Sequence, residues 1–183
     1  NFYILDPDPL LIILASNLFY YITGIFALFL LLLASALISG SETAFFSLSP
    51  KAIKKLKKEN SRKSNLVFDL IYKPKELLAT ILLLNNFLNV GIIILSTYMS
   101  NNIFKNNSNE ILLFFFQVII ITFLILMMGE VLPKIYAHRN PILFSKLMSI
   151  PVSFIQKLFS PIITLLVKTT SLIDKRLKKT YNL

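Results

Sequence analysis

The sequence contains no cysteine, so a disulfide framework, thiol chemistry and a cysteine-based metal site are all excluded. His138 is the only histidine, which rules out a histidine-rich zinc site. Without a nucleophile–base pair or a histidine metal motif, nothing in the chain points to an enzyme. Charge is scarce too. Only 15% of the 183 residues are charged, where a soluble domain carries about a quarter. The leading apolar run has no basic start and no small-residue cleavage site, and it is too long for a signal-peptide core, so no cleaved leader is expected. The chain starts at Asn1 rather than Met, and we read it as a piece of something longer.

What remains is apolar: 55% of the residues are hydrophobic and the mean hydropathy is +0.70. The net charge of +10 would suggest nucleic acid as the partner of a soluble protein. Here the basic residues sit in two blocks flanking apolar runs, the pattern of lysines facing anionic lipid and the cell interior. A lipid bilayer is therefore the expected partner, and nucleic acid is not.

Residues 1–9 are short, acidic and punctuated by proline, and are expected to be a non-helical lead-in. Residues 18–38 are uncharged, and about 20 such residues cross a hydrocarbon core. Two further apolar runs occupy residues 77–99 and 111–128. The expected fold is an all-α membrane protein with three transmembrane helices, at about residues 14–48, 76–100 and 110–137, within a core of residues 1–140. Between the first two runs, residues 51–75 hold nine basic side chains against Glu59 and Asp69, which places that segment in the cytoplasm. Its lysine-rich start predicts a surface helix ending near Asn60. The Asn-rich residues 101–109 have the composition of an external loop, so the N-terminus lies outside and everything after Lys134 inside.

Residues 141–183 form the tail. Pro141, Pro151 and Pro161 cut it into nine-residue pieces, since an interior proline is costly to a helix. Lys146, Lys157 and Lys168 recur every 11 residues and would share one helical face. This predicts juxtamembrane amphipathic helices on the cytoplasmic membrane surface, with a fourth span as the alternative. The polar residues 174–179 read as the start of a linker to a soluble cytoplasmic domain.

Polar side chains within lipid are costly and are usually retained for function. Three clusters stand out, one per span. In Ser39-Gly40-Ser41-Glu42, the small residues permit close backbone approach, and Glu42 is either a cation-attracting charge or a helix-end anchor. In the second cluster Asn85 and Asn89, four apart, share a helical face, with Asn86 beside them. Amide oxygens are neutral hard ligands suited to Mg²⁺ or Na⁺, and interhelical hydrogen bonding is their alternative use. In the third, Pro133 cannot donate to the carbonyl of Gly129, which leaves an oxygen free beside Glu130. The alternative there is a kink with Glu130 paired to Lys134, four residues on. Together the clusters offer only oxygen ligands, the set that hard cations take. Depth is the difficulty, because the asparagines count to mid-membrane while Ser39 and Glu130 count nearer the inner edge. A cytoplasm-facing cavity or a tilted second helix would reconcile them.

These three segments, Ser39 to Ser47, Leu84 to Asn89 and Gly129 to Lys134, resemble in order the signatures of the CorC/CNNM magnesium transporters, in their DUF21 or cyclin-M-like transmembrane domain. The resemblance covers essentially the whole chain. It implies a homodimer of three-helix subunits in the inner (plasma) membrane, followed by cytoplasmic CBS domains that bind ATP and lie beyond this chain. The implied activity is Mg²⁺ efflux, with Na⁺ as the proposed counter-ion. The implied ion ligands are Ser39, Asn85, Asn89, Gly129 and Glu130; from the residues themselves, Ser41, Glu42, Asn86, Pro133 and Lys134 are expected either behind those ligands or in structural positions. Leu84 stands where many relatives have glycine. A Lys/Asn/Ile-rich chain with these motifs also fits the gliding-motility branch of the family, in which a non-transporting scaffold binds other envelope proteins.

Overall fold

The computed structural model describes residues 9–103 and 110–169, and every described element is helical. Residues 1–8 of the expected lead-in, residues 104–109 of the Asn-rich loop and the polar residues 174–179 lie outside the described residues, while Pro9 already begins a helix and residues 101–103 end one. Helix α1 runs Pro9–Phe46, α2 Pro50–Glu59, α3 Arg62–Ile71 and α4 Pro74–Ile103. Helix α5 (Glu110–Leu124) continues through a π-helical segment, Ile125–Val131, into α6 (Leu132–Arg139). Helices α7 (Pro141–Leu158) and α8 (Ser160–Thr169) complete the chain.

Three of these helices are long and apolar enough to cross a membrane: Leu18–Phe46, Pro74–Ser100 and Ile111–Arg139. Their lengths follow from uncharged runs with no helix-breaking proline until Pro133. At that point the third span keeps its direction by loosening into a π turn. Helix α1 is central and packs on α4, α6, α7 and the π segment.

The short helices are set by local capping. Ser49 accepts a hydrogen bond from the Ala52 N–H, Pro50 opens α2, and Asn60 closes it in the left-handed conformation at φ 45°. Ser61 caps α3 in the same way through the Ser64 N–H. Helix α2 buries Ala52 and Leu56 and leaves Lys54, Lys57 and Lys58 exposed. The core therefore sits at one end of the bundle. Ile38, Phe45, Leu56, Val67, Leu77, Ala137 and Met148 pack there, where α2, α3 and α7 close around the span ends. Further along, the spans turn large side chains such as Phe26, Ile94 and Phe115 outward. That distribution suits a lipid surround rather than water.

The tail departs from expectation. Pro151 lies inside α7 rather than ending it. A proline within a helix costs about 3 kcal/mol. Helix α7 also buries Phe144, Met148 and Val152, each contributing about 1.5–3 kcal/mol, so packing outweighs the lost hydrogen bond. Pro141 and Pro161 instead sit at the first turns of α7 and α8, where no N–H is needed. The two helices meet at an 81° bend, so residues 142–167 form no single straight helix. The bend also separates Lys168 from the face carrying Lys146 and Lys157. One continuous lysine stripe does not form.

Candidate cation site

Ser35 on α1, Asn85 and Asn89 on α4, and Glu130 in the π segment meet in the middle of the bundle. The Asn89 amide nitrogen donates to Glu130 Oε1 at 3.2 Å, and that of Asn85 donates to the same oxygen at 3.4 Å. The amide oxygens turn the other way, towards Ser35. Ser35 Oγ lies 3.0 Å from Asn89 Oδ1 and 3.3 Å from Asn85 Oδ1, sharing its one proton between them. Two amides thus stand between a hydroxyl and a carboxylate, with their dipoles aligned by both. Among the described residues Glu130 has no ion-pair partner, so these amides are what offset its charge.

For Ser35, Asn85, Asn89 and Glu130 the depths agree. Ser35 lies 11 residues before the end of α1, Asn85 lies 11 after the start of α4, and Glu130 lies nine before Arg139. At 1.5 Å per residue each is about 14–17 Å from the same end of the bundle, half the thickness of a hydrocarbon core. The serine that meets the asparagines is one turn deeper than the one the motif singles out.

Ser39 occupies the same face of α1, four residues on. It is fully buried, and its hydroxyl has no hydrogen-bond partner, the only such side-chain atom among the described residues. Native structures rarely leave a buried hydroxyl unpaired, which marks Ser39 out from the other buried serines. Ser41 is committed to its own helix through the Ile38 carbonyl at 2.6 Å.

Gly129 faces Ser35. A Cβ built on it would stand 3.2 Å from Ser35 Oγ, so the absent side chain lets the third span approach α1 at the level of the cluster. The π register changes which carbonyls Pro133 frees. The Leu132 N–H bonds the Met127 carbonyl, five residues back. Pro133, lacking an N–H, then deprives Met128 of its π partner and Gly129 of its α partner.

Lys134 does not pair with Glu130. Its Nζ lies 3.0 Å from Glu42 Oε2, tying the end of α1 to α6. The wider π turn carries Lys134 out of line with the residue four before it. Asn86 is also apart from the cluster, exposed in an apolar groove with Leu82 and Leu166.

Ser35 is not among the residues expected from the sequence, because it stands apart from the contiguous Ser39-Gly40-Ser41-Glu42. The available signal was its spacing, four before Ser39 and so on the same face. Among the described residues no group of three His, Asp or Glu side chains gathers to hold a metal. The cluster has one carboxylate, and its other donors are neutral oxygens.

The cyclin M transmembrane N-terminal domain is the family whose model matches residues 25–182. The chain is 27% identical over 146 residues to the UPF0053 protein sll1254 of Synechocystis, covering 79% of this chain and 40% of that one. It is 28% identical over 136 residues to the UPF0053 inner membrane protein YfjD of Escherichia coli, covering 72% of this chain and 30% of the relative. It therefore spans less than half the length of either relative.

Proposed function

We propose that this chain, which belongs to the cyclin M transmembrane N-terminal domain family, carries Mg²⁺ out of the cell through the Ser35–Asn85–Asn89–Glu130 cluster, with Na⁺ as counter-ion. The family is associated with Mg²⁺ transport, and its members are transporters rather than enzymes. The observation that carries the reading is Glu130: a mid-bundle carboxylate offset, among the described residues, by two neutral amides. Such an arrangement is held ready for a cation that makes better contacts than the amide N–H groups do.

Arrival of Mg²⁺ turns the amides of Asn85 and Asn89 over, so that their oxygens join Glu130, the Gly129 carbonyl and the unpartnered Ser39 hydroxyl as ligands. Ser35 permits both orientations, because a hydroxyl donates to an amide oxygen or accepts from an amide nitrogen. Mg²⁺ dehydrates reluctantly, so it keeps some of its waters. One carboxylate balances a single Na⁺ fully and Mg²⁺ only by half, which gives the two ions unequal holds on the same residues.

The remaining proposals concern setting. Residues 1–140 act as the transmembrane core and residues 141–183 as juxtamembrane helices leading to CBS domains that bind ATP. The core end, with its lysines, faces the cytoplasm, and the N-terminus faces outward. The basic side chains of residues 51–75 support that orientation. The E. coli relative's description as an inner membrane protein supports the same membrane here. The outward apolar faces of the spans leave room for a second copy, as a homodimer requires. Mg²⁺ efflux from loaded proteoliposomes against a Na⁺ gradient tests the transport reading. A family scaffold that binds envelope proteins would show no flux and no Mg²⁺-dependent thermal shift, and either result in the full-length protein refutes our proposal. Surface labelling of Asn107→Cys from inside alone would reverse the orientation.

A further inference from the structure

At the end of the bundle where the spans terminate, four helices contribute to one cavity of about 490 Å³. Lys55 comes from α2, Lys63 from α3, Arg139 from the last turn of α6 and Lys146 from α7. Lys146 is ion-paired with Glu59. Lys55, Lys63 and Arg139 have no ion-pair partner among the described residues. Three exposed cations that line one cavity without a protein counter-charge favour an anion between them.

The same cavity has an apolar wall. Leu143 and Leu147 are one turn apart on α7, 64% and 56% exposed, and both line it. A free phosphate would satisfy the cations and leave the leucines in water. An amphiphile with an anionic head and an acyl chain satisfies both. Position agrees, because Arg139 ends the third span while α2 and α3 join the first to the second. The cavity therefore lies at headgroup level.

We propose that this cavity is a binding site for an anionic phospholipid. The phosphate sits among Lys55, Lys63 and Arg139, and the acyl chain lies along Leu143 and Leu147. The planar Arg139 guanidinium grips two phosphate oxygens, and the lysines act as point charges beside it. This differs from the general attraction of a basic surface to a membrane. Lys54, Lys57 and Lys58 carry the same charge on α2 but do not line the cavity. The inference is independent of the ion site.

The test is thermal unfolding of the full-length protein in neutral detergent, titrated with short-chain phosphatidylglycerol. Saturable stabilisation is expected, with none from phosphatidylcholine or from inorganic phosphate at equal concentration. At roughly a fivefold effect per basic residue at the membrane surface, Lys55→Gln/Lys63→Gln/Arg139→Gln should weaken the lipid effect about 100-fold. Lys54→Gln/Lys57→Gln/Lys58→Gln should leave it unchanged, and Leu143→Ser/Leu147→Ser should weaken it without altering net charge. Lys63→Gln alone, at about fivefold, serves if the triple variant fails to fold. Equal stabilisation by inorganic phosphate, or equal loss in the two triple variants, overturns the proposal.

Discussion

Glu130→Gln separates a cation ligand from a structural hydrogen-bond acceptor. In the structure Glu130 Oε1 accepts from Asn89 at 3.2 Å and from Asn85 at 3.4 Å. A glutamine oxygen accepts the same two hydrogen bonds, so the ion-free packing should survive. Glu130 is half-buried and has no ionic partner among the described residues, so neutralising it removes a desolvation cost, and the melting temperature without Mg²⁺ should hold or rise. Ion binding should behave in the opposite way. Unit charges 4 Å apart interact by about 4 kcal/mol at an effective dielectric of 20, and a divalent ion doubles that to about 8 kcal/mol. Retained coordination by the amide oxygen and entry of water return more than half. A net loss of about 3 kcal/mol corresponds to Mg²⁺ affinity at least 100-fold weaker. Isothermal titration with MgCl₂ alongside a melting curve reads both quantities on one sample. Parent-like affinity would remove Glu130 from the site, and collapse of the ion-free fold would show that its role is structural.

Asn89→Ala should weaken Mg²⁺ binding about tenfold by the same titration, less than Glu130→Gln, because it removes a neutral ligand. Glu42→Gln breaks an ion pair whose two side chains are 37% and 39% exposed; it should change affinity less than threefold and melting by under about 1 kcal/mol. If Glu42→Gln alone abolishes binding in that titration, the ligand assignment is wrong. Gly40→Ala places a Cβ 2.7 Å from the Phe144 ring and 3.3 Å from the Pro133 carbonyl. Overpacking of this kind costs about 1–3 kcal/mol, so the variant should melt earlier in a thermal scan, and an unchanged midpoint would mean that α1 and α7 separate freely.

The three spans were legible because residues 18–38, 77–99 and 111–128 leave a membrane as the only economical solvent. Asn85, Asn89 and Glu130 were legible as rare polar groups within those runs, and the structure brings them together. The ligand set itself stands as a proposal. What sequence spacing failed to convey was register. Counting by fours assumes an α-helix, and the π segment at Ile125–Val131 widens the turn where Glu130 and Lys134 were counted as neighbours. Lys134 went to Glu42 instead. Asn86 is adjacent to Asn85 in the chain, yet a helix turns successive residues by about 100°, and Asn86 faces the groove beside Leu82 and Leu166 instead. The local cost of Pro151 is visible in the sequence, whereas the burial of Val152 and Met148 beside it is not.

The placement of the core has a mechanical consequence. Among the side chains whose burial is described, most of the core lies at the end formed by α2, α3 and α7, while beyond Ser35 few are buried, among them Ile92 and Met99. The bundle is thus stiff at one end and compliant at the other, like tongs held near the pivot. Spreading the free ends of the spans disturbs side chains already in contact with solvent or lipid, whereas spreading the gripped ends would tear open Phe45, Leu56 and Val67 together. The Glu130 cluster sits at the boundary between the two regimes, where a small change in the angle between α1 and α4 becomes a change in the gap its ligands enclose.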